Sequence, residues 1–367
     1  MTKEPVRNAA LWLGTAGLCV ACGGQATSPE LSPEELIPKS TPVTLSAGAD
    51  HTCALRGDGR VACWGRADHG ELGNGFHGSQ LEPVPVRNFN VAVHSISSGG
   101  LHTCVLSMDG SVWCWGQSDQ GQAGSLQEIQ FPEEVTALHR RVEQLSAGGY
   151  HSCALIRDGS VECWGRGGRG ALGHGFDDSE VPLKVAGLPK AQQVVAGRNN
   201  SCALTFEGEV YCWGAETTGI LGAQTEHSVA TPVRIQFPSA VTRLASATAD
   251  QACALLDDGR LFCWGSSGDE RIDFPMEKSL EQPVSDVHLG GNQSCGITSS
   301  QELGCWESGY VEPYAEAPAL SGVEQVSAGQ GHVCARTADE VWCWGSTQYG
   351  QTGGYINTGT AKQVFLE

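Results

Sequence analysis

Apolar and polar positions alternate in short runs along most of this chain, and glycine-rich turns punctuate them. Residues 52–55 and 61–64 are two such β-prone runs, with Gly57-Asp58-Gly59 between them. Runs this short, separated by a three-residue turn, predict a β-hairpin whose last loop residue is left-handed and favours glycine. Gly59, Gly110, Gly159, Gly208 and Gly259 all fall at that place.

The same hairpin recurs seven times as A-G-x-x-H-x-C-A-L-x-x-D-G-x-V-x-C-W-G, from AGADHTCALRGDGRVACWG at 47–65 to AGQGHVCARTADEVWCWG at 328–345. The first cysteines of successive units lie 51, 49, 49, 51, 42 and 39 residues apart. A period of about forty to fifty residues with strand content belongs to the blades of a propeller. The expected fold is therefore all-β, a seven-bladed β-propeller over residues 43–367.

Hairpin register places two cysteines of each unit opposite one another. The pairs are Cys53 with Cys63, Cys104 with Cys114, Cys153 with Cys163, Cys202 with Cys212, Cys253 with Cys263 and Cys295 with Cys305. The seventh unit lacks one residue, yet a two-residue loop at Ala338-Asp339 keeps Cys334 opposite Cys343. Cys19 and Cys22 lie apart from the units, and the other fourteen cysteines form one intra-blade disulfide per repeat if the compartment is oxidising. Buried free thiols are the alternative. Zinc is disfavoured, because these fourteen include no C-x2-C pair and the nearby histidine is replaced in three units.

The N-terminus reads as an export segment. Lys3 and Arg7 precede an apolar stretch at 9–21, too short for a spanning helix. It ends in Leu18-Cys19-Val20-Ala21-Cys22-Gly23-Gly24, which resembles a bacterial lipoprotein signal with Cys22 as the lipidated residue. An ordinary cleaved secretory signal is the alternative. Residues 1–22 are thus expected to be the signal and 23–42 a polar, proline-rich tether. The resemblance implies an outer-membrane lipoprotein, since Gly23 rather than Asp follows Cys22; otherwise the chain is periplasmic or extracellular.

The units resemble the repeat of the regulator of chromosome condensation family, whose signature is a glycine turn, H-x-x-A-L, D-G, W-G and G-x-L-G. The last part stands here as Gly70-Glu71-Leu72-Gly73, Gly170-Ala171-Leu172-Gly173 and Gly219-Ile220-Leu221-Gly222. The resemblance implies four-stranded blades around a channel, with the terminal segment Gln363-Val364-Phe365-Leu366 pairing with the first blade to close the ring. It also implies less regular fifth and sixth blades. Both are short, and the sixth has Ser300-Gln301 for the D-G turn and Glu307 for a glycine. Similar in setting is a secreted bacterial protein inhibitor of β-lactamase, which implies that one face of such a ring can bind a protein.

Charge narrows the function. With 22 Lys plus Arg against 41 Asp plus Glu, the formal charge is −19. That argues against nucleic acid and anionic lipid surfaces and favours a basic protein partner. His51, His102, His151 and His332 share one repeat position, but Asn200, Gln251 and Gln293 hold it elsewhere, so a hydrogen bond to a turn explains them better than a metal. The C-W-G tryptophans Trp64, Trp115, Trp164, Trp213, Trp264, Trp306 and Trp344 face away from the cysteines and are expected between blades. Asp58, Asp109, Asp158 and Asp258 fit turn geometry. No G-x-S-x-G, H-E-x-x-H or phosphate-loop motif is present. No cofactor, metal or catalytic residue is expected.

One position stands out because it varies on a constrained frame: the residue before the repeated histidine. It reads Asp50, Leu101, Tyr150, Asn199, Asp250, Asn292 and Gly331. These turns should ring one face of the channel and form a partner-binding ring, with Tyr150 as its aromatic anchor. Unselected variation is the competing explanation. The expected function is a monomeric, lipid-anchored cell-envelope binding scaffold without catalytic activity. The alternatives are a secreted protein inhibitor of a hydrolase, and a polysaccharide or peptide hydrolase using the channel.

Overall fold

The computed structural model describes residues 42–366, apart from 139–140, 217–218, 224–226, 247–249, 268–269, 308–316 and 355–359. All of them belong to one compact unit, Lys39–Glu367. The signal, Cys22 and tether residues 23–41 lie outside the described residues.

Among the described residues, six four-stranded antiparallel sheets and one three-stranded sheet follow one another along the chain, giving seven blades. In the first blade the strands run Pro42–Ala47, His51–Arg56, Val61–Gly65 and Gln80–Pro85, in that spatial order from the channel outward. The second strands are buried along their whole length in the second to fifth blades, because neighbouring blades cover both faces. This explains a near-continuous apolar run where a sheet with one wet face would alternate.

Hairpin register is as expected. Cys53 faces Cys63, with corresponding pairs in the other six units. All seven disulfides form, with Cα atoms 4.0–4.1 Å apart. The glycines that end the loops are left-handed, as at Gly59 with φ 81°. In the sixth unit Gln301 takes this role with φ 60°, which keeps the turn although the glycine is gone.

The C-terminal strand departs from expectation. Lys362–Val364 pairs with Val341–Gly345 as the outer strand of the seventh blade, not with the first blade. The repeat phase explains why: the domain opens on an inner strand, so every blade is encoded continuously and none has a strand to exchange. The inner strands meet at the seam through side chains instead. Leu45 N donates to Gln325 Oε1 at 2.8 Å, Gln325 Nε2 returns to Leu45 O at 2.9 Å, and Ala47 N donates to Ser327 Oγ at 2.8 Å.

The seam bonds repeat around the channel. Ser98 N reaches Ser46 Oγ, Ala147 N reaches Ser97 Oγ and Ala196 N reaches Ser146 Oγ. Between the fifth and sixth blades an ion pair takes over, with Arg243 Nε 2.6 Å from Asp286 Oδ1. These inner strands enclose a channel of about 280 Å³. Each hydroxyl or amide satisfies a backbone donor of the next blade that no sheet ladder reaches.

The fifth blade is complete, its third and outer strands extended as Leu261–Ser267 and Glu270–Glu277. The sixth blade shows three strands among the described residues, and its Cys305 and Trp306 are only half-buried, where the other repeated tryptophans are fully buried. Among the described residues no helix is long and apolar enough to cross a membrane.

Candidate functional site

Each ring residue sits in the turn between the inner and second strands. In six of them the carbonyl accepts from the residue after W-G: Arg66 N to Asp50 O at 2.9 Å, Gln117 N to Leu101 O at 2.8 Å and Arg166 N to Tyr150 O at 2.9 Å. Asn199, Asp250 and Gly331 receive the same bond from Ala215, Ser266 and Ser346. The turns also bond to one another, from Ala49 N to Gly99 O, Gly100 N to Gly148 O and Gly149 N to Gly197 O. Gln330 N to Ala49 O carries this belt across the seam. The backbone is thereby fixed while the ring side chains, all half-buried, are left to vary.

Three ring members come together. Asp50, Leu101 and Tyr150 line a depression of about 140 Å³ with Arg66, Arg198 and Gln330. Asn199, Asp250, Asn292 and Gly331 hold equivalent turns but do not line it. Arg66 lies 3.4 Å from Asp50 Oδ2 and 2.7 Å from Asp68 Oδ2, with its guanidinium 5.0 Å from the Tyr349 ring. Arg166 stands 5.4 Å from the ring of Tyr150. Burial holds the Asp50 carboxyl above its ordinary range against the pull of Arg66. Burial does the same to Asp250, opposed by Arg198 and Arg169. For Arg66 and Arg166 the sequence signal lies in the position after each W-G, which reads Arg66, Gln117, Arg166, Ala215, Ser266 and Ser346; Arg198 instead stands directly before Asn199 in its turn.

The histidines lie one residue further on and are buried between blades. His51 Nε2 meets Thr103 Oγ1 at 2.9 Å, His102 meets Ser152 at 2.8 Å, His151 meets Ser201 at 2.8 Å and His332 meets Thr52 at 2.7 Å. The partner is thus a hydroxyl on the next blade, not the turn expected from the sequence. Each hydroxyl donates onward to a carbonyl, such as Thr103 to Glu71 O, so it must accept from an Nε2–H. Where the unit carries an amide instead, the next blade offers Ala252, Ser294 or Val333. Gly48 follows from the same packing, since a Cβ there would fall 2.4 Å from His51 Cε1. Burial pushes these histidines down to about 3 for His51, His102 and His332 and about 4 for His151.

The tryptophans complete the blade contacts. Trp115 Nε1 donates to Glu71 O, Trp213 to Ala171 O, Trp264 to Ile220 O and, across the seam, Trp64 to Gln351 O. The G-x-L-G segment is therefore an acceptor for the following blade. Within it, Glu71 is fully buried, its Oε2 accepts from His69 N, and its Oε1 finds no partner among the described residues. Burial raises its carboxyl. Gln122 and Gln351 hold the same place and make the same backbone bond. Glu71→Gln is expected to stabilise the fold by on the order of 1 kcal/mol at neutral pH, read from urea midpoints.

Among the described residues no three His, Cys, Asp or Glu side chains are placed to hold a metal. The profile of the RCC1-like domain matches residues 8–250, and that of the regulator of chromosome condensation (RCC1) repeat matches 246–270 and 323–351. The chain belongs to the RCC1-like family. The repeat matches skip 271–322, where this RCC1-like protein has its irregular sixth blade. The crystal structure of human WBSCR16 is similar over 84% of this chain and 94% of its own, with TM-score 0.74 and 21% identity. Yeast RCC1 (Prp20), in its structure bound to Kap60, is similar over 84% of this chain and 82% of its own, with TM-score 0.68 and 19% identity. In sequence, the probable E3 ubiquitin-protein ligase HERC3 of Homo sapiens is 36% identical over 92 residues, 24% of this chain and 9% of that protein. The matched stretches cover less than a third of these curated relatives. RCC1-like propellers typically serve as protein-interaction scaffolds. The seven disulfides suit an oxidising compartment.

Proposed function

We propose that this RCC1-like protein is a cell-envelope binding scaffold, anchored through a lipid on Cys22, that grips a protein partner at the channel mouth and performs no chemistry of its own. One observation carries the reading. Seven turns share one backbone form, six of them bonded to the residue after W-G, and they carry Asp, Leu, Tyr, Asn, Asp, Asn and Gly at one position. A rigid frame with free side chains suits recognition, because little order is lost when a partner docks. Tyr150 and Leu101 supply the aromatic and apolar anchors there, half-exposed beside the depression. Fourteen oxidised cysteines and the Cys22 motif support export and anchoring.

The test uses envelope extract and the full-length protein. Leu101→Ala with Tyr150→Ala should reduce recovery of a co-purifying envelope protein by about tenfold or more, as loss of a central anchor does. Unchanged recovery rejects the recognition face. Palmitate labelling should disappear in Cys22→Ala, and labelling that persists rejects the anchor.

A further inference from the structure

Arginines in this protein are generally paired. Of the fourteen among the described residues, Arg56, Arg60, Arg66, Arg141, Arg234, Arg243, Arg260, Arg271 and Arg336 are in ion pairs. Carboxylates outnumber cations 41 to 22, so partners are abundant. The other five make no ion pair among the described residues: Arg87 stands over Phe76 and Arg157 is exposed in a hairpin loop, while Arg166 and Arg198, in the third and fourth blades, stand beside Tyr150 with Arg169 nearby in charge. Arg166 stands over the Tyr150 ring, Arg198 lines the depression with it, and Arg169 acts with Arg198 on Asp250. The carboxylates that face this group are Asp50 and Asp68, both engaged by Arg66, and Asp250 across from Arg198.

We infer that the channel mouth takes an acidic side chain of the protein partner, its carboxylate between Arg166 and Arg198 and its aliphatic part against Tyr150 and Leu101. This rests on the recognition face proposed above. A guanidinium already stacked on an aromatic ring is held in place, and its in-plane N–H groups stay available for a carboxylate. Arg198, Tyr150 and Leu101 line a depression of about 140 Å³, room for one side chain, and Arg166 is tied to it through the Tyr150 ring rather than as a lining residue. The chain's overall −19 charge draws basic surfaces from a distance. Within a Debye length of the mouth the local guanidiniums reverse that preference. A nucleic acid offers anions too, but its continuous charge would meet the repulsion of the whole protein.

The probes are surfaces coated with poly-L-glutamate or poly-L-lysine and the full-length chain at low salt. Retention on poly-L-glutamate should fall about tenfold in R166E/R198E and by less in R166Q/R198Q. It should not change in R157E/K190E, whose exposed side chains stand beside the loops between second and third strands. Retention that is absent, or indifferent to R166E/R198E, overturns the carboxylate assignment alone. Partner recovery indifferent to Leu101→Ala and Tyr150→Ala overturns the reading beneath it.

Discussion

Reduced at all seven disulfides, the chain should not refold at 25 °C, whereas the oxidised chain should refold after denaturant is removed. Each bridge closes a loop of nine or ten residues. The chain-entropy account assigns about 2–3 kcal/mol to such a loop. Seven together amount to about 14–21 kcal/mol, at or above the top of the roughly 5–15 kcal/mol by which a domain is ordinarily stable. The effects are separable in time. The cysteines of the first five blades and the seventh are almost wholly buried, so reductant without denaturant should act slowly, limited by opening of the blade. Cys305 is the exception, half-buried on the third strand of the sixth blade, so Cys295–Cys305 should be reduced first. Alkylation and peptide mapping during reduction would show the order. A fully reduced chain with native near-ultraviolet dichroism would contradict the account.

Stability should also fall steeply as pH drops below about 6.5, the ordinary histidine pKa. His51, His102, His151 and His332 are neutral in the fold, with pKa values pushed down to about 3–4 by burial. On unfolding they regain the ordinary value, so the unfolded state binds more protons between pH 6.5 and 4. Their contribution is therefore complete above pH 6.5 and is lost as pH falls through that window. Each group costs about 1.4 kcal/mol per pH unit there, so four cost about 5 kcal/mol between pH 7.5 and 5.5. Asp50, Glu71 and Asp250 act in the opposite sense, since raised carboxyls take up protons on folding, and they offset part of the slope. Urea midpoints at the two pH values would measure it. His102→Gln should remove about a quarter of the dependence, and equal midpoints at both pH values would refute the buried, neutral state.

The blades were legible because their pattern is local. A three-residue loop decides which residues oppose, so the disulfide register could be read from Cys53, Gly59 and Cys63 alone. The pairing of histidine with hydroxyl was present in the sequence as well. Wherever His stands, as at 51, 102, 151 and 332, a Ser or Thr stands one position further in the next unit. It escaped notice because the partners are 50–52 residues apart, or 280 across the seam, and only the curvature of the ring brings them together. The same distance hid the serine and glutamine belt around the channel, whose residues look like ordinary polar faces of short strands.

The sequence by itself determined the number of blades, the cysteine partners and which residue of each unit occupies the variable turn, since each depends on contacts within about fifty residues. Tertiary structure alone decided how the ring closes, with Lys362–Val364 kept in its own blade and Leu45 clasped by Gln325. It alone also placed Arg66 and Arg198 around one depression with Tyr150. The physical reason is the same in both cases. Local backbone geometry sets what a strand pairs with, but the angle between successive sheets sets which distant side chains meet, and that angle comes from the packing of all seven blades at once.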